Sequence, residues 1–136
     1  MDITPLFKLM ADKRASDLFF SVGAPITIKI EGIARPVNNQ VLDAAAAKSI
    51  AYGLMNEKQT AAFEATMEMN FGYAVPDIGN FRVNVFRQRG GVAMVIRLIP
   101  NVIPAIDSLG VPPIMKDMAM EKRGLILIVG ATGSGK

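Results

Sequence analysis

The heptad Gly130-Ala131-Thr132-Gly133-Ser134-Gly135-Lys136 sets two glycines five positions apart and a lysine directly after the second. Those residue types at that spacing suit a phosphate. Glycine takes positive φ without steric cost, so successive backbone N–H groups can turn into one concavity around phosphate oxygens, and the lysine reaches the outer phosphates as a point charge. The pattern is G-x-x-x-x-G-K of a phosphate loop, short only of its final Ser or Thr. A Gly-rich surface turn is the bland alternative, because both residue types are common. Two local features argue against it: the continuous apolar run Leu125-Ile126-Leu127-Ile128-Val129 leads straight into Gly130, and Gly133 adds a third glycine inside the loop.

A second candidate is cationic. No Asp or Glu lies between Ile78 and Ile106, whereas Arg82, Arg87, Arg89 and Arg97 all do, in a chain whose net charge is only +3. If Gly90-Gly91 is the two-residue hairpin loop, Arg89 pairs with Val92, Asn84 lies opposite Arg97, and Arg82 is diagonal to Arg97 on the same face. The other face then carries Phe81, Val83, Val85, Met94, Ile96 and Leu98 and belongs to the core. Like charges this close are unfavourable unless an anion or carboxylate sits between them, and guanidinium forks match phosphate oxygens. An anion clamp is the sharp reading. The plain one has these arginines on solvated edges or paired with Asp17, Glu31 or Glu68. A third reading is nucleic acid: Phe81-Arg82 and Phe86-Arg87 with Arg89 make a basic, aromatic surface, and the isoelectric point is near 9.4. The net charge is too small to favour it.

Other chemistries are closed. The chain has no histidine and no cysteine, which removes Ser-His-Asp and Cys-His nucleophile systems and any thiolate or imidazole metal site. Carboxylates, lysine, arginine and the backbone remain. The nine methionines read as core filler, Ser16-Asp17 as a helix-ending turn or cap rather than a catalytic pair, and Arg123 as a charge flanking an apolar strand. The start Met1-Asp2-Ile3-Thr4-Pro5 has no secretory-signal pattern, and no apolar stretch is long enough for a membrane span, so the expectation is a cytoplasmic protein.

The elements that must position these residues follow from periodicity. Ile3, Leu6, Phe7 and Met10 recur at helical spacing over 4–13, with Thr4 as cap and Pro5 at the first helical position. Two half-buried strands follow, Leu18 to Val22 and Ile26 to Ile30, joined at Gly23-Ala24-Pro25. A short third strand, Ile33 to Val37, ends in a loop at Asn38-Asn39. Asp43 caps an alanine-rich helix through Ile50 and Leu54, and Asn56 with Gln59 forms a capping box for a second helix reaching Phe63 and Met67. From Met69 the period returns to two, through Val75. Pro76-Asp77-Ile78-Gly79 turns the chain into strands at about 80–89 and 92–99. Residues 100–113 hold four prolines, the composition of a linker. A short helix with Ile114, Met115 and Met118 on its apolar side precedes Leu125 to Val129, read as a strand covered on both faces. The fold class is therefore α+β: an antiparallel-sheet domain at 1–98, a linker at 99–113, and at 114–136 the start of an α/β domain, cut after its first strand and phosphate loop.

These pieces together resemble a family. Met1-Asp2-Ile3, Ala15-Ser16-Asp17-Leu18, Gly79-Asn80-Phe81-Arg82-Val83-Asn84-Val85-Phe86, Arg97-Leu98-Ile99-Pro100, and Arg123-Gly124-Leu125 running into the Gly130 to Lys136 loop are similar to the N-terminal third of type IV pilus retraction ATPases. The similarity spans the chain and is nearest to the PilU type, with the PilT type next. It implies a PAS-like first domain and a RecA-like second domain, a ring of six subunits, and ATP bound between the domains. It further implies twitching motility by pilus retraction at the cytoplasmic face of the inner membrane, with a membrane platform protein and a paralogous retraction ATPase as partners, and no nucleic acid. The family arginines that reach the nucleotide fall on Arg82 and Arg97, and the phosphates on Gly130, Ala131, Thr132, Gly133, Ser134, Gly135 and Lys136. The family often has histidine where this chain has Phe19. Mg²⁺ ligands, and the acidic and histidine boxes, belong to the second domain, so these 136 residues are expected to show no turnover alone. The competing class is a non-catalytic interaction module whose arginines grip acidic patches on a neighbouring subunit.

Overall fold

The computed structural model describes residues 2–131 and divides the chain into two compact units, Met1–Asn101 and Val102–Lys136. The first unit runs α1 (Thr4–Asp12), β1 (Asp17–Phe20), β2 (Pro25–Ile30), β3 (Ile33–Val41), α2 (Ala44–Leu54), α3 (Glu57–Thr66), β4 (Glu68–Val75), β5 (Gly79–Gln88) and β6 (Gly91–Ile99). Its strands form one antiparallel sheet in the order β3-β2-β1-β6-β5-β4, so that β1 and β6, far apart in the chain, lie side by side at the centre.

Local chemistry sets the helices. The Asp43 carboxylate accepts from the Ala46 N–H at 2.7 Å at the start of α2. At α3 the expected capping box is complete: Asn56 Oδ1 accepts from the Gln59 N–H and Gln59 Oε1 from the Asn56 N–H, each at 2.9 Å. The start of α1 differs from expectation, because Ile3 holds the cap position and the Thr4 N–H donates to Asp2 Oδ1 at 2.9 Å.

All three helices bury residues against one face of the sheet. Phe7 and Met10 of α1, Ile50 and Ala51 of α2, and Phe63 of α3 join Leu18, Phe20, Ile26, Ile28, Phe81, Val83, Val85, Met94 and Ile96 in a single core. The Phe7 ring lies 4.5 Å from that of Phe81 and 5.5 Å from that of Tyr73, which pins α1 over β5 and β4. Period-two alternation leaves the opposite face without a helical cover in this unit: Asp17 and Phe19 of β1, Val95 and Arg97 of β6, Arg82 and Asn84 of β5, and Asn70 of β4.

Two boundaries depart from the sequence reading. Strand β3 continues past Val37 to Val41, and Asn38-Asn39 lies inside it. The ladder jumps from Thr27↔Pro36 to Pro25↔Val41, so the turn-forming asparagines bulge out rather than end the strand, and Asn38 Oδ1 accepts from the Gln40 N–H at 3.0 Å. Strand β1 stops at Phe20, leaving Val22 exposed.

The second unit holds a 3-10 turn at Ile106–Leu109 and a helix α4 at Ile114–Met120, with Lys116 Nζ 2.5 Å from Asp107 Oδ1. The expected strand at 125–129 is not formed. A strand exists only through a neighbour's ladder, no described residue pairs with this run, and all five side chains are exposed. Among the described residues no helix is long and apolar enough to cross a membrane.

Candidate functional site

The β5–β6 hairpin closes at Gln88↔Gly91, with Arg89 (φ 50°) and Gly90 (φ 80°) as its two-residue loop. Positive φ at both central positions is the turn whose twist matches the flanking strands. The loop is therefore one residue earlier than Gly90-Gly91, and the register differs from expectation: Arg82 lies directly opposite Arg97, and Asn84 opposite Val95. Moving both ends of the loop back by one shifts every partner by two, which preserves faces. Arg82, Asn84 and Arg97 share the open face as expected, and Phe81, Val83, Val85, Met94 and Ile96 are buried on the other.

The two arginines differ in their partners. Arg97 Nε donates to Asp17 Oδ1 at 2.9 Å; the Arg97 side chain is 66% exposed and that of Asp17 is 7% exposed. Arg82 is exposed and makes no ion pair among the described residues. With Arg97, Asn70, Asn84 and Val95 it lines a shallow depression of about 380 Å³. Glu68 Oε1 accepts from Asn70 Nδ2 at 3.1 Å and Asn84 Nδ2 at 3.2 Å, fixing both amides at the margin of that depression.

The local excess of four arginines is not one patch. Arg87 is on the helical side of β5, where it acts electrostatically on Tyr52 and Glu64. There the Tyr52 hydroxyl donates a short hydrogen bond to Glu64 Oε1, and Lys48 Nζ sits 4.9 Å from the Tyr52 ring centroid. That bond holds the Glu64 carboxyl below its usual range and pushes the Tyr52 hydroxyl above its own. Arg89, in the hairpin loop, borders a different hollow of about 600 Å³ with Ser21, Val22 and Ala44.

Of the plain reading's three carboxylates, Asp17 does pair with an arginine. The residues offer Asp17 both as one of three possible arginine partners and as part of a turn or cap, and do not single it out: it opens β1 in register with both Lys29 and Arg97, and it is the buried charged residue among those described. The only sequence signal was its position on the polar phase of a strand whose other phase is Leu18 and Phe20.

The donor set at Arg82 and Arg97 fits an anion with several oxygens, since a guanidinium bonded through Nε keeps both Nη groups for a bidentate contact. No group of three or more Asp or Glu side chains converges among the described residues, so they offer no divalent-cation cage. Of the phosphate-loop heptad, Gly130 and Ala131 carry no regular secondary structure, and Thr132, Gly133, Ser134, Gly135 and Lys136 lie outside the described residues.

Comparison with known proteins gives a consistent set. No family model matches the chain. It is 41% identical over all 136 residues to the type IV pilus ATPase PilU of Pseudomonas aeruginosa, covering 36% of that protein. To the type IV pilus retraction ATPase PilT of the same organism it is 39% identical, again along its whole length, and covers 40%. The crystal structure of the pilus retraction motor PilT with bound ADP superposes with a TM-score of 0.81 at 34% identity, over all of this chain and 40% of that one. The chain thus spans between a third and a half of the length of these three proteins.

Proposed function

We propose, from the premise that this chain belongs to the type IV pilus retraction ATPase family and corresponds to its N-terminal region, that it supplies two arginines to the nucleotide of an ATP-driven pilus-retraction motor. The observation that carries this reading is the Arg82–Arg97 register pair on an open sheet face, one guanidinium oriented by a carboxylate and the other without an ion pair among the described residues. Residues 1–98 act as the arginine-bearing domain, 99–113 as linker, and 114–136 as the start of a RecA-like domain whose Gly130 to Lys136 loop cradles phosphates. Bound ATP supplies the scissile phosphoanhydride. Arg82 and Arg97 would offer hydrogen bonds to phosphate oxygens as negative charge develops, and the residue types of Gly130 to Lys136 would suit backbone and lysine contacts to phosphate. Mg²⁺ would neutralise charge on the phosphates and would be held by groups other than the described residues, and subunits would assemble into a hexamer on the cytoplasmic face of the inner membrane, against a platform protein and a paralogous motor. The ADP bound in the PilT crystal supports the choice of nucleotide.

In the full-length protein, Arg82→Ala and Arg97→Ala should each lower ATP turnover by roughly 100- to 1,000-fold while hexamers still form, the loss typical of one transition-state donor. Unchanged turnover in normally assembled hexamers refutes the reading. Collapse of assembly with nucleotide affinity retained by the monomer transfers support to the interaction module.

A further inference from the structure

Arg97 is held by a partner 80 residues away in the chain, and the form of that contact is specific. Asp17 uses one oxygen on Nε alone, at 2.9 Å, and is itself almost wholly buried. Four ladder positions in a row on the open face alternate in part: Lys29, Asp17, Arg97, Arg82. Without Asp17, Arg97 and Arg82 would face each other as like charges on adjacent strands about 5 Å apart, with Lys29 on the far side of β1, and nothing would hold the Arg97 side chain against repulsion from Arg82. With it, the guanidinium is anchored at Nε, while its two Nη groups, four N–H donors, make no hydrogen bond among the described residues, on a side chain 66% exposed, in the depression that Arg82 also lines.

We propose that Asp17 is the positioning residue of this site: through Nε it sets the orientation in which Arg97 presents its Nη edge to a phosphate, next to Arg82. This rests on the nucleotide reading above. Asp17 touches no ligand; its effect runs through Arg97. A buried carboxylate on a sheet face is costly to keep, and the Nε contact is the direct interaction that offsets it.

The experiment is a double-mutant cycle in the full-length protein with Asp17→Asn, Asp17→Ala and Arg97→Ala, reading kcat and KM for ATP. Asp17→Ala should lower kcat on the order of 10- to 100-fold, the effect of misaligning a reacting group. On the Arg97→Ala background the same change should add less than about twofold, because its route is gone. Equal factors on both backgrounds, or no loss from Asp17→Ala while Arg97→Ala is impaired, overturn the proposal alone. An inert Arg97→Ala instead overturns the nucleotide reading. Should Asp17→Ala fail to fold, Asp17→Asn keeps shape and one acceptor oxygen, and the nitrogen-15 NMR signal of the Arg97 Nε–H in this 136-residue chain gives a direct readout. Slowed solvent exchange at that Nε–H, speeded in Asp17→Asn because a charge-assisted bond becomes a neutral one, is the expected result; an unprotected Nε–H in the unsubstituted chain refutes the orientation role.

Discussion

Arg82 and Arg97 occupy one register pair yet live in different surroundings, and single atoms make the difference. Arg97 has a carboxylate on Nε, whereas Arg82 makes no ion pair among the described residues and shares its depression with the amides of Asn70 and Asn84. A lysine in either place would keep charge but lose the planar fork. The same atomic scale governs the Tyr52–Glu64 bond on the other side of the sheet. Glu64 has its carboxyl lowered by that bond, so the stabilisation is complete above the ordinary carboxylate range and is lost as pH falls through the lowered value. Tyr52 is raised by it, so its share holds below the ordinary phenol range and is lost as pH climbs through the raised value. At neutral pH both parts are present. Tyr52→Phe should therefore flatten the decline in thermal midpoint between about pH 5 and pH 3. Since Glu64 is exposed and Tyr52 only half-buried, the change is small, and parallel midpoint–pH curves for the two proteins would contradict it.

Among the elements, the β5–β6 hairpin decides the site, because its loop fixes which residues stand opposite one another. A shift of one residue in pairing would turn Arg82 into the core and Val83 out, whereas the observed shift of two left every face intact. The loop asks for positive φ twice, and Arg89 meets that demand at φ 50° against its steric preference. Gly90→Ala should lose about 1 kcal/mol or more in urea denaturation, and Arg89→Gly should gain up to about 1 kcal/mol. A stability-neutral Gly90→Ala would mean that the loop does not hold this turn. Gly91 is constrained differently, since an added Cβ would meet Val22 Cγ2 at 3.0 Å. That contact explains why two adjacent glycines invited the wrong loop assignment: one serves the turn and the other the approach of a neighbouring segment.

At the scale of the whole molecule, every residue of the hydrophobic core falls between Ile3 and Leu98, inside the first compact unit. A chain ending at Asn101 should accordingly keep the urea midpoint of the longer chain within about 0.5 kcal/mol of stability, as expected when no core residue is removed. A large drop would show that residues after Asn101 complete the fold. The elements themselves were legible from the residues: the period-two runs, the reciprocal Asn56–Gln59 cap, the Asp43 cap, and the division of β5 and β6 into apolar and arginine-bearing faces. Each depends on neighbours within a few positions, through backbone sterics, capping hydrogen bonds and side-chain alternation, so the sequence alone determines it. Three things rested on the tertiary structure. The bulge kept Asn38-Asn39 inside β3, the absence of a described neighbour left Leu125–Val129 without a ladder, and the placing of β1 beside β6 brought Asp17 to Arg97. All three turn on which strands lie side by side, and strand adjacency is set by global burial of the apolar faces, not by any short stretch of residues.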